Sequence, residues 1–155
     1  MKVVVFYSFQ GSCEFIANEI ANELGIQTVR LVPDVEPPKK GFGMFFRGGG
    51  MALTKKTPAL VGFEFDAKDY DTVILCSPVW AGTYPPAIRS FLTKIDLSGK
   101  KLAIVASSAS GNAEKMINLI AADTNADVVG RLSLQLPIKK QEEAKVKIAE
   151  FCKTI

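Results

Sequence analysis

Histidine is missing from all 155 residues, and tryptophan occurs once. Without an imidazole there is no Ser–His or Cys–His triad, no histidine metal ligand and no histidine acid–base catalyst. Cysteine is scarce too. Cys13, Cys76 and Cys152 are odd in number and widely spaced, so they make neither a disulfide framework nor a CxxC metal pattern. Long apolar runs are lacking, and none approaches the roughly 18–20 residues of a membrane helix. The apolar stretch 3–7 is too short for a signal-peptide core, so the chain reads as cytoplasmic with no membrane association. Charge is nearly balanced: 19 basic against 16 acidic residues leave a net +3, too mild to imply a nucleic-acid partner. An enzyme with this inventory would borrow its chemistry from a cofactor.

What is present is the composition of a folded domain. Hydrophobic residues make up 48% and charged residues 23%, which argues against disorder. The length fits one domain spanning 1–155. Strand-like and helix-like stretches alternate along it. Residues 2–7, 27–32, 71–76, 101–106 and 127–136 read as strands. Helical spacing appears at 14–24, after Pro85–Pro86, at 113–122 and at 140–155. Residues 33–58, rich in proline, glycine and basic side chains, break the pattern as an irregular, insertion-like loop. Strands separated by helices of this length predict βαβ units and a parallel sheet covered on both faces. The expected class is α/β, a five-stranded doubly wound domain.

Such sheets bind ligands beyond the carboxyl ends of their strands, where the strand order reverses. Three loops there are unusual. After strand one, Ser8, Gln10, Gly11, Ser12 and Cys13 lead into a helix and offer neutral donors to an anion, with no Lys or Arg among them. After strand three come Pro78, Val79, Trp80, Ala81, Gly82, Thr83 and Tyr84. A planar ligand could stack on Trp80, and Trp80–Thr83 could form a type II turn with Gly82 at its positive-φ position. After strand four come Ser107, Ser108, Ser110 and Gly111, small enough for a flat ring to approach the backbone. Each loop alone has a bland reading, as a capped βα turn, a sealed sheet edge or a polar turn. Together they describe a phosphate site, an aromatic plate and a third wall.

The chain therefore resembles the flavodoxin family. Ser8, Gln10, Gly11 and Cys13 stand at the positions of that family's phosphate loop, of form Thr/Ser-x-Thr-Gly-x-Thr. The stretch Pro78–Thr83 with Pro85, Pro86 and Phe91 resembles its second flavin loop and following helix, in the short-chain form. The resemblance implies a sheet of order 2-1-3-4-5 and non-covalent FMN. Ser8 to Cys13 would hold the phosphate, and Trp80 would stack on the ring with the Ala81–Gly82 peptide near its edge. Ser107, Ser108, Ser110 and Gly111 would line the third side. In the family that peptide reorients on reduction, which Gly82 would permit. No catalytic side chain and no metal ligand is implied.

The departures are informative. Gln10 and Cys13 replace threonines, and a thiol is a weak donor. Cys13 at a helix N-terminus would have a lowered pKa, although packing is the plainer role. The third loop lacks the usual aromatic cover, leaving either Tyr84 or an open flavin face. Loop 33–58, with Phe42, Met44, Phe45, Phe46 and Lys55–Lys56, reads as a mobile cover, an oligomer contact or an acidic-partner dock. A solvated irregular connection fits it equally. A receiver domain would need acidic residues at Tyr7–Ser8 and Cys76–Ser77, and a low-molecular-weight phosphatase would need an arginine after Cys13. GxGxxG and GxxxxGK[ST] are missing. The expected function is a low-potential electron carrier between redox proteins, one of them an acidic ferredoxin-like donor. The alternative is an FMN-dependent NAD(P)H:quinone or flavin reductase. Either could be a monomer or a homodimer.

Overall fold

A computed structural model describes residues 1–38 and 50–155. Five strands, β1 (Lys2–Phe6), β2 (Thr28–Arg30), β3 (Thr72–Pro78), β4 (Lys101–Ser108) and β5 (Asp127–Gln135), form one sheet in the order 2-1-3-4-5. All four pairings are parallel. The helices are α1 (Ser12–Leu24), α2 (Pro86–Lys94), α3 (Glu114–Ala122) and α4 (Gln141–Cys152). The α/β doubly wound class and the strand order are as expected. Strand two is shorter than its 27–32 pattern because the chain leaves the sheet after Arg30. Strands three and four run two residues longer, since Ser77 and Pro78 pair with Ala106 and Ser107.

Side chains alternate across the pleat, and the apolar ones divide accordingly. Val3, Val5, Val73, Leu75, Leu102 and Ile104 face α2 and α3, where Ile88, Phe91, Met116 and Ile120 complete one core. Val4, Phe6, Ile74, Cys76, Ala103 and Val105 face α1 and α4, against Ile16, Ile20, Ile148 and Phe151. Burial on both faces explains why strands one, three and four read as continuous apolar runs. The two layers leave the carboxyl edge of the sheet free for loops.

The span 33–58 is less irregular than its composition suggests. The backbone is helical at 50–53, where Met51 and Ala52 are buried. Pro33 and Leu60 form an antiparallel bridge, fastened by Val61 N–H to Val32 O at 2.7 Å and Asp34 N–H to Ala59 O at 2.9 Å. Lys39, Lys40, Phe42, Met44, Phe45, Phe46 and Arg47, expected to cover a ligand or meet a partner, lie outside the described residues. Lys55 and Lys56 are exposed.

Candidate functional site

The β1–α1 loop closes on itself before the helix begins. Gly11 donates its N–H to Ser8 Oγ at 3.1 Å, with φ +97°, a backbone angle that costs any other residue about 1–2 kcal/mol. No side chain caps α1. Its first internal bond runs from Phe15 N–H to Gly11 O, so the N–H groups of Ser12, Cys13 and Glu14 have no acceptor within the helix. They lie at the positive end of the helix dipole, an arrangement suited to an anion.

Two features of this loop differ from expectation. The loop holds no cation of its own, but the fold supplies one. Arg30, at the end of neighbouring β2, reaches Ser8 O at 3.5 Å and pairs with Glu14 at 3.1 Å. Strand order 2-1-3 is the signal that could have found it, because it sets the end of strand two beside the loop after strand one. The second correction concerns Cys13. It is fully buried in the α1–α4 core, and that burial, with Cys76 beside it, pushes its thiol pKa well up rather than down. Desolvation outweighs the helix dipole. Cys13 is a packing residue, not a reactive thiol.

The loop after β3 folds into a two-residue turn. Trp80 N–H bonds Thr83 O at 2.8 Å, and Thr83 N–H bonds Trp80 O at 2.9 Å. Both central residues have positive φ, Ala81 at 50° and Gly82 at 75°, the sign pattern of a type I′ turn and not the expected type II. The reciprocal pair of bonds decides this, since I′ is the turn that suits a tight antiparallel pair. Trp80 stands nearly perpendicular to Tyr7 and to Phe9, with centroids 5.7 and 5.4 Å away. These contacts fix the indole.

Tyr84 does not reach the site. It is buried, donates its hydroxyl to Asp123, and accepts from Arg89 at 3.0 Å. The Arg89 guanidinium lies over its ring at 4.5 Å. Burial first, then the bond to Asp123, pushes the phenol up to about 12. Tyr84 thus fastens the base of the loop to α2 and to the end of α3. It is not among the residues that line the cleft described below.

The β4–α3 loop repeats the first turn. Gly111, at φ +79°, donates to Ser108 Oγ at 2.9 Å. Here β5 ties the loop down: Ser133 Oγ donates to Gly111 O, and Gln135 Nε2 to Ala109 O, both at 3.1 Å.

The three loops meet around a cleft of about 440 Å³. Ser8, Gln10, Ser12 and Cys13 line it from the first loop, Pro78, Val79, Trp80 and Ala81 from the second, and Ser107 and Ser108 from the third. Gly11, Gly82, Thr83, Tyr84, Ser110 and Gly111 do not line it; the glycines shape its walls from behind. Sequence reasoning missed Phe9, Ala109 and Leu136. Phe9 and Ala109 carry no distinctive chemistry and join through their loops. Leu136 is carried in by the sheet, its N–H bonded to Ser108 O at 3.0 Å. A larger hollow of about 700 Å³ is lined among the described residues by Asp34, Met51, Thr54, Lys56 and Thr57, away from the three carboxyl-edge loops. Among the described residues no cluster of potential ligands could hold a metal, and no helix is long and apolar enough to cross a membrane.

Known proteins share this outline. Residues 46–141 match the family model described as flavodoxin. No curated protein sequence matches the chain significantly. Among solved structures, the chain is similar to a flavoprotein in complex with FMN from Lactobacillus acidophilus, with TM-score 0.73, 17% identity, and 91% and 96% of the two chains covered. It is also similar to oxidised flavodoxin 2 from Bacillus cereus, with TM-score 0.62, 22% identity and 99% and 97% covered. A Streptococcus pneumoniae flavodoxin gives TM-score 0.62 at 17% identity, covering 99% and 95%.

Proposed function

The chain belongs to the flavodoxin family, and on that premise we propose that it binds FMN non-covalently in this cleft and carries electrons between redox proteins. The observation that carries the reading is the meeting of three carboxyl-edge loops around one cleft, with a helix N-terminus at one side and Trp80 at another. The residues suit the group. A volume of about 440 Å³ lies within the roughly 300–1,000 Å³ of cofactor sites. Ser8, Gln10 and Ser12, with the N–H groups opening α1, would hold the phosphate. Trp80 and Ala81 would flank the ring, and Ser107 and Ser108 would present backbone and hydroxyl groups to its polar edge. FMN, when bound, supplies the redox chemistry that this histidine-free chain lacks. The protein's part is to orient the ring and exclude water from one side of it.

Exposed Lys55 and Lys56 favour an acidic partner, such as a ferredoxin-like donor. A second reading, an NAD(P)H-dependent quinone or flavin reductase, draws on Tyr84. With that ring turned toward Asp123, the third wall is built, among the described residues, from Ser107, Ser108 and Ala109 with Leu136 beside them and carries no aromatic cover. A substrate could approach there.

The test is the visible spectrum of protein mixed with excess FMN and then desalted. Retained flavin bands support the cofactor, and their loss ends the redox reading. Trp80→Ala should weaken binding by about 1–3 kcal/mol in a fluorescence titration. Rapid bleaching by NADPH or NADH would favour the reductase; slow bleaching favours the carrier.

A further inference from the structure

Lys115 is the second residue of α3 and is exposed, yet its side chain lies against the Trp80–Thr83 turn. A Cβ placed on Gly82 would be 3.7 Å from Lys115 Cδ and 3.9 Å from Lys115 Nζ. The alkyl stem therefore covers the turn's second central residue, and the ammonium sits at the turn that bounds the cleft. Among the described residues Lys115 makes no ion pair, although Glu114 is its neighbour in sequence.

That placement needs an explanation. A cation in the first turn of a helix opposes the helix dipole. Among the described residues no Lys or Arg lines the cleft itself. Two other cations near the loops are engaged, Arg30 with Glu14 and Ser8 O, and Arg89 with Tyr84. Lys115 does not itself line the cleft and borders the neighbouring hollow of Asn112 and Asn118. It lies, however, against the turn whose Trp80 and Ala81 do line the cleft, so its charge acts on the cleft across that turn. Lysine suits this better than arginine as a compact point charge on a flexible stem.

We propose that Lys115 is the electrostatic partner of the negative charge that the bound cofactor gains on reduction, and that it sets how much more tightly the cleft holds reduced FMN than oxidised FMN. This rests on the FMN reading above. Reduction delivers two electrons and one proton to the neutral ring and leaves one added negative charge. In the test, dithionite supplies the electrons and leaves as sulfite, and the proton comes from solvent. Lys115 gains and loses no proton. It acts through its field, partly screened by solvent.

The FMN-loaded protein is compared with K115Q, K115E and K115R. Oxidised FMN affinity is measured by flavin fluorescence, and the midpoint potential by dithionite titration against a reference dye. In K115Q, oxidised affinity should stay within twofold of wild type. The preference for reduced over oxidised FMN should fall about three- to tenfold, the upper figure equivalent to about −30 mV for a two-electron couple. K115E should move further in the same direction, K115R should restore the wild-type value, and 1 M salt should shrink every difference. An unmoved potential in K115Q and K115E, with FMN still bound, overturns the inference alone. Equal weakening of both redox forms also overturns it, because it marks a role in packing the turn. A wild-type protein that retains no FMN overturns the cofactor reading and this inference with it.

Discussion

The loops after β1 and β4 are built on one local turn and serve the site differently. In each, a serine closing or following the strand accepts the N–H of a positive-φ glycine three residues on: Ser8 with Gly11, and Ser108 with Gly111. After Gly11 the chain enters α1 at once and leaves three N–H groups open. After Gly111 it runs through Asn112 and Ala113 before α3 begins, and β5 holds the turn through Ser133 and Gln135. On the FMN reading proposed above, the first would be a mouth for the phosphate and the second a wall. Identical turn chemistry does not settle function; the residues after the glycine, and the strand beside it, do.

The widest separation should come from Gly11→Ala and Gly111→Ala. Each places an alanine at a positive φ, at about 1–2 kcal/mol of stability. At Gly111 the new Cβ would meet Gln135 at ordinary contact distance, 3.4 Å, and at Gly11 nothing lies within 4 Å. Urea denaturation should therefore show similar losses at the two positions, while FMN titration shows the greater loss at Gly11, whose turn aims the N-terminus of α1. Equal losses of FMN affinity would erase the distinction between mouth and wall.

Removing the hydroxyls sharpens the same contrast. Ser8→Ala and Ser108→Ala each leave a glycine N–H without its acceptor, and each should cost about 1 kcal/mol of stability. Their effects on FMN should part. A hydroxyl donating to a charged phosphate contributes about 1.5–3 kcal/mol, against about 0.5–1.5 for a neutral acceptor. Ser8→Ala should thus lower affinity by about tenfold or more, and Ser108→Ala by only a few-fold. Equal losses would mean that the phosphate does not sit at Ser8.

This pair of loops also marks how far the sequence could be read. The sheet was legible because strands buried on both faces must be apolar throughout, and 73–76 and 102–106 are. The cleft was legible at Trp80, a lone indole flanked by prolines beyond a strand end. The repeated Ser-x-x-Gly turn was visible in SFQG and SASG, but its hydrogen bond is a matter of φ at the glycine, which composition does not reveal. Arg30, against the first loop, and Leu136, in the cleft, escaped because neighbouring strands bring them there through sheet order and not chain proximity. Packing is the plainer reading of Cys13 and it holds; only the lowered pKa expected from its helix position fails, because its burial depends on the packing of α1 against α4.

The wall has a second anchor at the far end of α3, where Tyr84 meets Asp123, and pH should reveal it. Its phenol is pushed up to about 12 in the folded protein from about 10 when unfolded. Below pH 10 both states hold the proton, so the interaction contributes in full. As pH rises from 10 toward 12, the unfolded state releases its proton first, and stability falls. The loss should be about 1 kcal/mol, allowing for solvent screening. Tyr84→Phe should flatten this part of the stability–pH curve and leave FMN affinity nearly unchanged, since Tyr84 lies outside the cleft. A large affinity loss would return Tyr84 to the ligand.

The smallest effect lies between mouth and wall, in the Trp80 turn. Ala81 sits at φ 50°, where a Cβ is disfavoured by about 1–2 kcal/mol; glycine there would lose more conformational entropy on folding, by about 0.5–1 kcal/mol. Ala81→Gly should then stabilise the protein by roughly 0.5 kcal/mol. Rotating the central peptide of a type I′ turn produces type II′, whose first central position is a glycine position. Freedom to reorient the Ala81–Gly82 peptide is therefore limited by Ala81, not by Gly82. Amide resonances of Gly82 and Thr83 should broaden by exchange in Ala81→Gly and stay sharp in the wild type. Exchange already present in the wild type would show that the alanine does not hold the peptide, and that the turn moves despite its Cβ.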